Sequence, residues 1–194
     1  SFDERDRFLK PSANYFHNPF LMMGMEKSIK RIFKAISLNE AIFVLGDSDA
    51  DGISATSIIY NHLKEKGGKV KALILNREKD GRGLSRKLIE KVIRANTAVL
   101  ITCDLGINDH DLIDFATKNR VDVIIADHHL PLKKNSSAYS IINPKQVNCI
   151  YPFKELSASG IALKLVQGMD KFKSKSSVEI NDAVSLAMFG TISD

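Results

Sequence analysis

Between residues 41 and 142 the chain alternates short, nearly continuous apolar runs with stretches of helical periodicity. The runs are AIFVL at 41–45, VKALIL at 70–75, AVLIT at 98–102, VDVIIA at 121–126 and a shorter YSII at 139–142. A strand that is apolar on both of its faces must be covered on both faces, and strands separated by helices of about ten residues pair in parallel. The predicted helices pass through Ile58, Ile59 and Leu63, through Leu88, Ile89, Val92 and Ile93, and through Leu112, Ile113 and Ala116. An earlier one is marked by Met25, Ile29, Ile32, Phe33 and Ile36, with Lys27, Lys30, Arg31 and Lys34 on its outer face. Two more follow the last run, one through Ile161, Leu165, Val166 and Met169 and one over Val178–Met188. The pattern defines an α/β fold: a doubly wound, mainly parallel sheet of about five strands with helices on both faces.

At 194 residues the chain can bury a sizeable core without disulfides or structural metal. Its two cysteines, Cys103 and Cys149, are too few and too far apart for a disulfide framework or a zinc ribbon. They point to a reducing, cytoplasmic compartment. No apolar run approaches the roughly 20 residues that cross a bilayer, and the start SFDERDRFLK lacks a secretory apolar region. A net charge of +5 permits a polyanionic partner but does not demonstrate one. Residues 1–24 read as a polar, turn-rich arm on the domain surface, and residues 25–194 as one domain. KFKSKSS at 171–177 reads as a basic connector.

In an open parallel sheet, ligands bind outside the carboxyl ends of the strands. At those ends this chain carries Asp47, Asp49 and Asp51 with Gly46 and Gly52, then Asp104 with Gly106, then Asp127, His128 and His129. Asp and Gly after one strand are ordinary turn formers. Carboxylates at three strand ends repel one another unless cations lie between them. The Asp47, Asp49, Asp51, Gly52 spacing also opens like an EF-hand loop, but its twelfth position is Ile58 and it follows a strand, which excludes that reading.

Oxygen-rich sites with one or two imidazoles and no thiolate suit Mn²⁺ or Mg²⁺. Two such ions about 4 Å apart are a recurring device for hydrolysing phosphate esters by in-line displacement, with water as the nucleophile. No side-chain nucleophile competes, since Cys103 lies inside an apolar strand and reads as a buried structural thiol. No Walker loop or GxGxxG follows the first strand.

GDSDADG at 46–52, CDLG at 103–106, ADHH at 126–129 and GTISD at 190–194 resemble, in order and spacing, the four motifs of the DHH phosphoesterase superfamily. NPFLMMGMEKSIKRI at 18–32, LNREKDGRGLS at 75–85 and INPKQVNCIYPFKELSASGIALKL at 142–165 resemble the single-strand-specific exonucleases of its RecJ branch. That resemblance implies two ions, Mn²⁺ or Mg²⁺. Asp49 and Asp104 would hold the first, Asp51, Asp104, His128 and Asp194 the second, with Asp104 bridging and Asp47 close by. Asp127 would orient a histidine, and His129 would face the scissile phosphate. Ser159 and Gly160, at a helix start, would approach a substrate phosphate, and Arg77 and Arg82 are further candidates for phosphate contact. The implied activity is 5′-to-3′ digestion of single-stranded DNA to 5′-mononucleotides in repair and recombination. Single-strand-binding protein or helicase partners are implied by family likeness alone.

The resemblance further implies that residues 25–194 are the DHH catalytic domain, ending before a second, DHHA1-type domain that completes the cleft. Three departures stand out: Leu45 where many members have His, Ser48 where an aromatic is common, and Arg82 in place of Tyr. Alternatives are a nanoRNase or cyclic-dinucleotide phosphodiesterase on the same scaffold, a pyrophosphatase, and a non-catalytic DNA-binding relative. Retention of every motif carboxylate and both histidines disfavours the last.

Overall fold

The structure is a computed structural model, which describes residues 5, 9, 10, 12, 15–81, 83–132, 136–173 and 181–194. Among these residues five parallel strands form one sheet in the order β2-β1-β3-β4-β5: β1 (Ala41–Gly46), β2 (Lys69–Ile74), β3 (Thr97–Cys103), β4 (Asp122–Ala126) and β5 (Ser140–Ile142). The expected doubly wound parallel sheet is present. Each strand end lies within one or two residues of the apolar run that predicts it.

Successive residues of a strand face opposite sides of the sheet, so each central strand feeds two cores. Ile42, Val44, Val99, Ile101, Cys103, Ile124 and Ala126 enter one core. It is covered by α1 (Met25–Ser37), α2 (Ala50–Glu65), α5 (Ala158–Lys173) and α6 (Asn181–Ser193). Phe43, Leu45, Leu100, Val123 and Ile125 enter the other, covered by α3 (Arg86–Arg94) and α4 (His110–Lys118). A single helical turn, Arg77–Asp80, follows β2.

Residues leading into α1 do more than cover a surface. Asn18 caps a short 3₁₀ turn over Pro19–Leu21 through the Phe20 amide, and Pro19 is buried. Met22 is only 2% exposed, within the same core as α1 and α5. Gly24, at φ 82°, lets its backbone run against the Ile141 carbonyl, where a side chain would collide. α6 begins at Asn181, and the first residues of the predicted 178–188 helix lie outside the described residues. Lys171–Lys173 of the expected connector belong to α5, and 174–177 also lie outside the described residues.

The register of the sheet decides what meets at its upper edge. Gly46 pairs with Ile74 on one side and Cys103 on the other, Cys103 pairs with Ala126, and Ala126 pairs with Ile142. The next residue of each strand continues the ladder. Leu75 N–H donates to the Gly46 carbonyl (2.9 Å), Asp47 to Cys103 (3.2 Å), Asp104 to Ala126 (3.0 Å) and Asp127 to Ile142 (3.3 Å). Asp47, Asp104 and Asp127 therefore stand abreast on three adjacent strands. Strand order reverses at β1, from which the chain passes first to β2 and then to β3 on the other flank. The cleft at such a switch point is where open α/β sheets bind ligands.

Candidate metal centre

Asp104 occupies the centre of this row. It is 4% exposed, and its φ of 65° is left-handed, an unusual backbone for a residue with a side chain. Its Oδ1 lies 3.2 Å from His128 Nε2 and 3.8 Å from His129 Nδ1. Oδ1 is buried and meets no well-aligned hydrogen-bond donor, its polar neighbours here being these two imidazoles. Burial pushes the Asp104 carboxyl up to about 7, with Asp51 and Asp49 adding to the rise against the pull of His128. His128 is raised in turn, chiefly by Asp104. Its Nδ1 is 3.6 Å from Asp194 Oδ2.

The loop after β4 is held by Asp127, which is fully buried. Its Oδ1 accepts from the His129 amide (3.0 Å) and pairs with His129 Nδ1 (2.7 Å), while Oδ2 accepts from the Ile107 amide (3.0 Å). Burial alone would raise the Asp127 carboxyl, but these bonds hold it below the ordinary value. The same pairing lifts His129 to about 9, so its half-exposed ring is cationic at neutral pH. Asn143, one residue beyond β5 and buried, donates to the His129 carbonyl (2.9 Å) and accepts from the Lys145 amide (2.7 Å). Nothing in the motif pattern marks Asn143. Its signals are an amide side chain directly after the last apolar run and its place in the 142–165 segment that resembles the RecJ branch.

After β1 the acids diverge in role. Asp49 caps α2 through the Gly52 amide (3.0 Å). Asp47 Oδ1 accepts from the Ser48 amide (2.6 Å) and hydroxyl (3.2 Å). Gly52 is required here because a Cβ would stand 2.6 Å from the Asp47 carbonyl oxygen. Asp51 is 3% exposed and reaches across to α5, where its Oδ2 accepts from the Ala158 amide (2.6 Å) and Oδ1 from the Ser159 amide (2.9 Å). A carboxylate at a helix N-terminus satisfies donors that the helix itself cannot.

That contact changes the expected part of Ser159 and Gly160. Both are buried; the Ser159 amide is taken by Asp51, and the Gly160 amide donates to Ser157 Oγ (3.2 Å). The start of α5 is closed by side chains of the protein and is not presented to an outside anion. Arg77 likewise pairs with the protein's own acids, its Nη2 lying 3.2 Å from Asp47 Oδ2 and 3.1 Å from Asp49 Oδ2. Arg82 lies outside the described residues.

Gly190, the first residue of the GTISD segment, has a structural task the motif does not announce. A Cβ there would overlap Ser159 Oγ and stand 2.8 Å from Asp51 Oδ1. Its absence lets α6 pass close enough to α5 to deliver Asp194. Among the described residues three groups bring ligand atoms within 4.8 Å of one another: Asp47, Asp49 and Asp104; Asp51, His128 and Asp194; and Asp104, His128 and His129. Asp104 belongs to two of them.

The donor set is carboxylate oxygen and imidazole, and its central oxygen is buried without a well-aligned hydrogen bond. This chemistry fits hard divalent cations such as Mn²⁺ or Mg²⁺. The neighbouring Cys103 is fully buried and pushed up to about 12, mainly by burial, which removes a thiolate from consideration.

The fold and the site together define an α/β domain with an acidic, imidazole-bearing centre at the switch point of a parallel sheet. A family model described as the DHH family, N-terminal domain, matches residues 41–191, and the chain belongs to that family. It is 36% identical over 188 residues to the single-stranded-DNA-specific exonuclease RecJ of Bacillus subtilis, covering 96% of this chain and 23% of the relative. To the RecJ of Escherichia coli K12 it is 32% identical over 152 residues, covering 78% of this chain and 26% of the relative. A solved structure of exonuclease RecJ bound to manganese superposes with a TM-score of 0.79 at 25% identity, over 88% of this chain and 43% of that one. The chain thus spans about a quarter of the length of the curated relatives named here. No helix among the described residues is long and apolar enough to cross a membrane.

Proposed function

We propose that this chain is the catalytic DHH domain of a two-metal phosphodiesterase that digests single-stranded DNA from its 5′ end to 5′-mononucleotides. The observation that carries the reading is the convergence of three ligand groups at one switch point, with Asp104 shared between two of them. Similarity to RecJ exonucleases over nearly the whole chain supports the substrate class. Asp47, Asp49 and Asp104 would hold one Mn²⁺ or Mg²⁺, and Asp51, Asp104, His128 and Asp194 the other. Bound ions would supply Lewis acidity to the phosphoryl group and favour in-line displacement by water.

The chain's own groups do the positioning. His129, cationic at neutral pH and fixed through Nδ1 by Asp127, leaves its other ring nitrogen to hold a phosphate oxygen. Asp127 keeps that ring in one orientation, and the Ile107 amide keeps Asp127 in place. Leu105 and Ile107, on either side of Gly106, are buried in the second core and anchor the loop that carries the Ile107 amide. The domain assignment, an arm over residues 1–24 whose Pro19 and Met22 are built into the core and a DHH domain over 25–194, belongs to the same proposal, as does a second domain beyond it in the whole protein.

The test is digestion of 5′-labelled single-stranded DNA by the full-length protein with Mn²⁺. Release of labelled mononucleotide is expected. Intact DNA alongside rapid cleavage of dinucleotides or pyrophosphate would replace the reading with one of its relatives.

A further inference from the structure

One half of the centre already holds a cation of the protein's own. Arg77 opens the helical turn after β2, and a single guanidinium nitrogen bridges Asp47 Oδ2 and Asp49 Oδ2 at 3.2 and 3.1 Å. These two carboxylates form, with Asp104, one of the groups able to hold an ion. The other half also faces a possible cation, His128, but of a different kind. An imidazole can give up its proton and become a ligand, whereas a guanidinium stays charged at any relevant pH and has no lone pair to offer. An ion arriving between Asp47 and Asp49 must therefore displace Arg77 physically.

The surroundings permit this. The Arg77 side chain is 46% exposed, and it stands on a one-turn helix beside the edge strand β2, outside both cores. Its partner Asp49 is equally open. Leu45, buried at the end of β1, offers no donor that would offset the competition.

We propose that Arg77 is a displaceable counter-ion of Asp47 and Asp49. It holds the pair together in the metal-free protein and makes their position the weaker of the two for metal. This rests on the two-ion reading above, but the experiment separates them. Metal-stripped full-length protein is titrated with Mn²⁺, and the free-ion paramagnetic resonance signal is followed for wild type, Arg77→Gln and Arg77→Lys.

Wild type shows two classes of site. In Arg77→Gln the weaker class tightens by about tenfold while the tighter class changes by less than about twofold, because only one position loses its competing charge. Arg77→Lys, which keeps the charge, stays close to wild type. The metal-free Arg77→Gln protein also melts lower, and its melting temperature rises further on adding Mn²⁺ than wild type's does. A weaker class that is unchanged or loosened in Arg77→Gln, with an unaltered circular dichroism spectrum, would overturn the inference and leave the two-ion reading standing. Absence of Mn²⁺ binding by wild type would overturn both.

Discussion

Asp104 combines three properties that a residue kept only for stability would avoid: burial, a left-handed backbone and a carboxylate oxygen without a well-aligned hydrogen bond. Burying such a group costs free energy unless something arrives to satisfy it. Asp104→Ala should therefore leave the metal-free protein at least as stable in urea while lowering Mn²⁺ affinity and turnover by roughly a hundredfold or more. Equal loss of stability and binding would mean that Asp104 is a packing residue. Asp127 is the opposite case, buried but fully engaged. Asp127→Asn should cost about 2 kcal/mol in urea unfolding, the scale of hydrogen bonds to a buried charge. It should also drop the metal-free His129 imidazole from about 9 toward its ordinary value, followed by NMR titration. An unmoved His129 would show that the ring is held by something other than Asp127.

At the scale of elements, α6 and α5 meet through glycine. In an open helix Gly→Ala is stabilising by roughly 1 kcal/mol, but at Gly190 the new methyl would overlap Ser159 Oγ and crowd Asp51. Gly190→Ala should lower stability by about 2 kcal/mol, typical of overpacking, and weaken metal binding because Asp194 is carried away with α6. A stabilised variant with normal Mn²⁺ affinity would contradict the close approach. Between α2 and α5 lies His62, 7% exposed, with Asp170, Lys66 and Glu65 around it. Burial, reinforced by Lys66 and opposed by Asp170 and Glu65, holds the imidazole below its ordinary value. The unfolded chain then takes up that proton more readily than the folded one. Stability present above about pH 6.5 is lost as pH falls toward the folded value. In a chelating buffer the melting temperature should fall from pH 7 to 5 more steeply in wild type than in His62→Gln. Parallel slopes would locate the acid sensitivity elsewhere.

These elements also show what could be read from sequence. Strand runs such as AIFVL and AVLIT are legible because a strand covered on both faces needs no polar alternation. The acids at 47–51, 104 and 127 fall where a parallel sheet gathers its ligands. Long-range pairings leave no local trace. The Asp51 carboxylate caps a helix 107 residues away, and the α5 start expected to meet phosphate is closed by it. Arg77 reads as a phosphate contact in a strand-end loop, and only its nearness to Asp47 and Asp49 shows that it first answers the protein's own charge. Asn143 and Gly190 act through backbone and space, which no motif spells out.

For the whole molecule, register is what makes the site: the last residues of five strands pair across one line, so the residues that follow them converge. The formal charge of +5 is compatible with a nucleic-acid substrate once divalent ions neutralise the acidic cluster. The central claim is a two-metal site turned to single-stranded DNA, and end-group analysis tests it most directly. Full-length protein with Mn²⁺ is given 5′-labelled single-stranded DNA, a dinucleotide and pyrophosphate in parallel. The account predicts labelled 5′-mononucleotide as the first product from the long strand, abolished by chelation and by Asp104→Ala. A long strand left intact by active, Mn²⁺-loaded protein would contradict it.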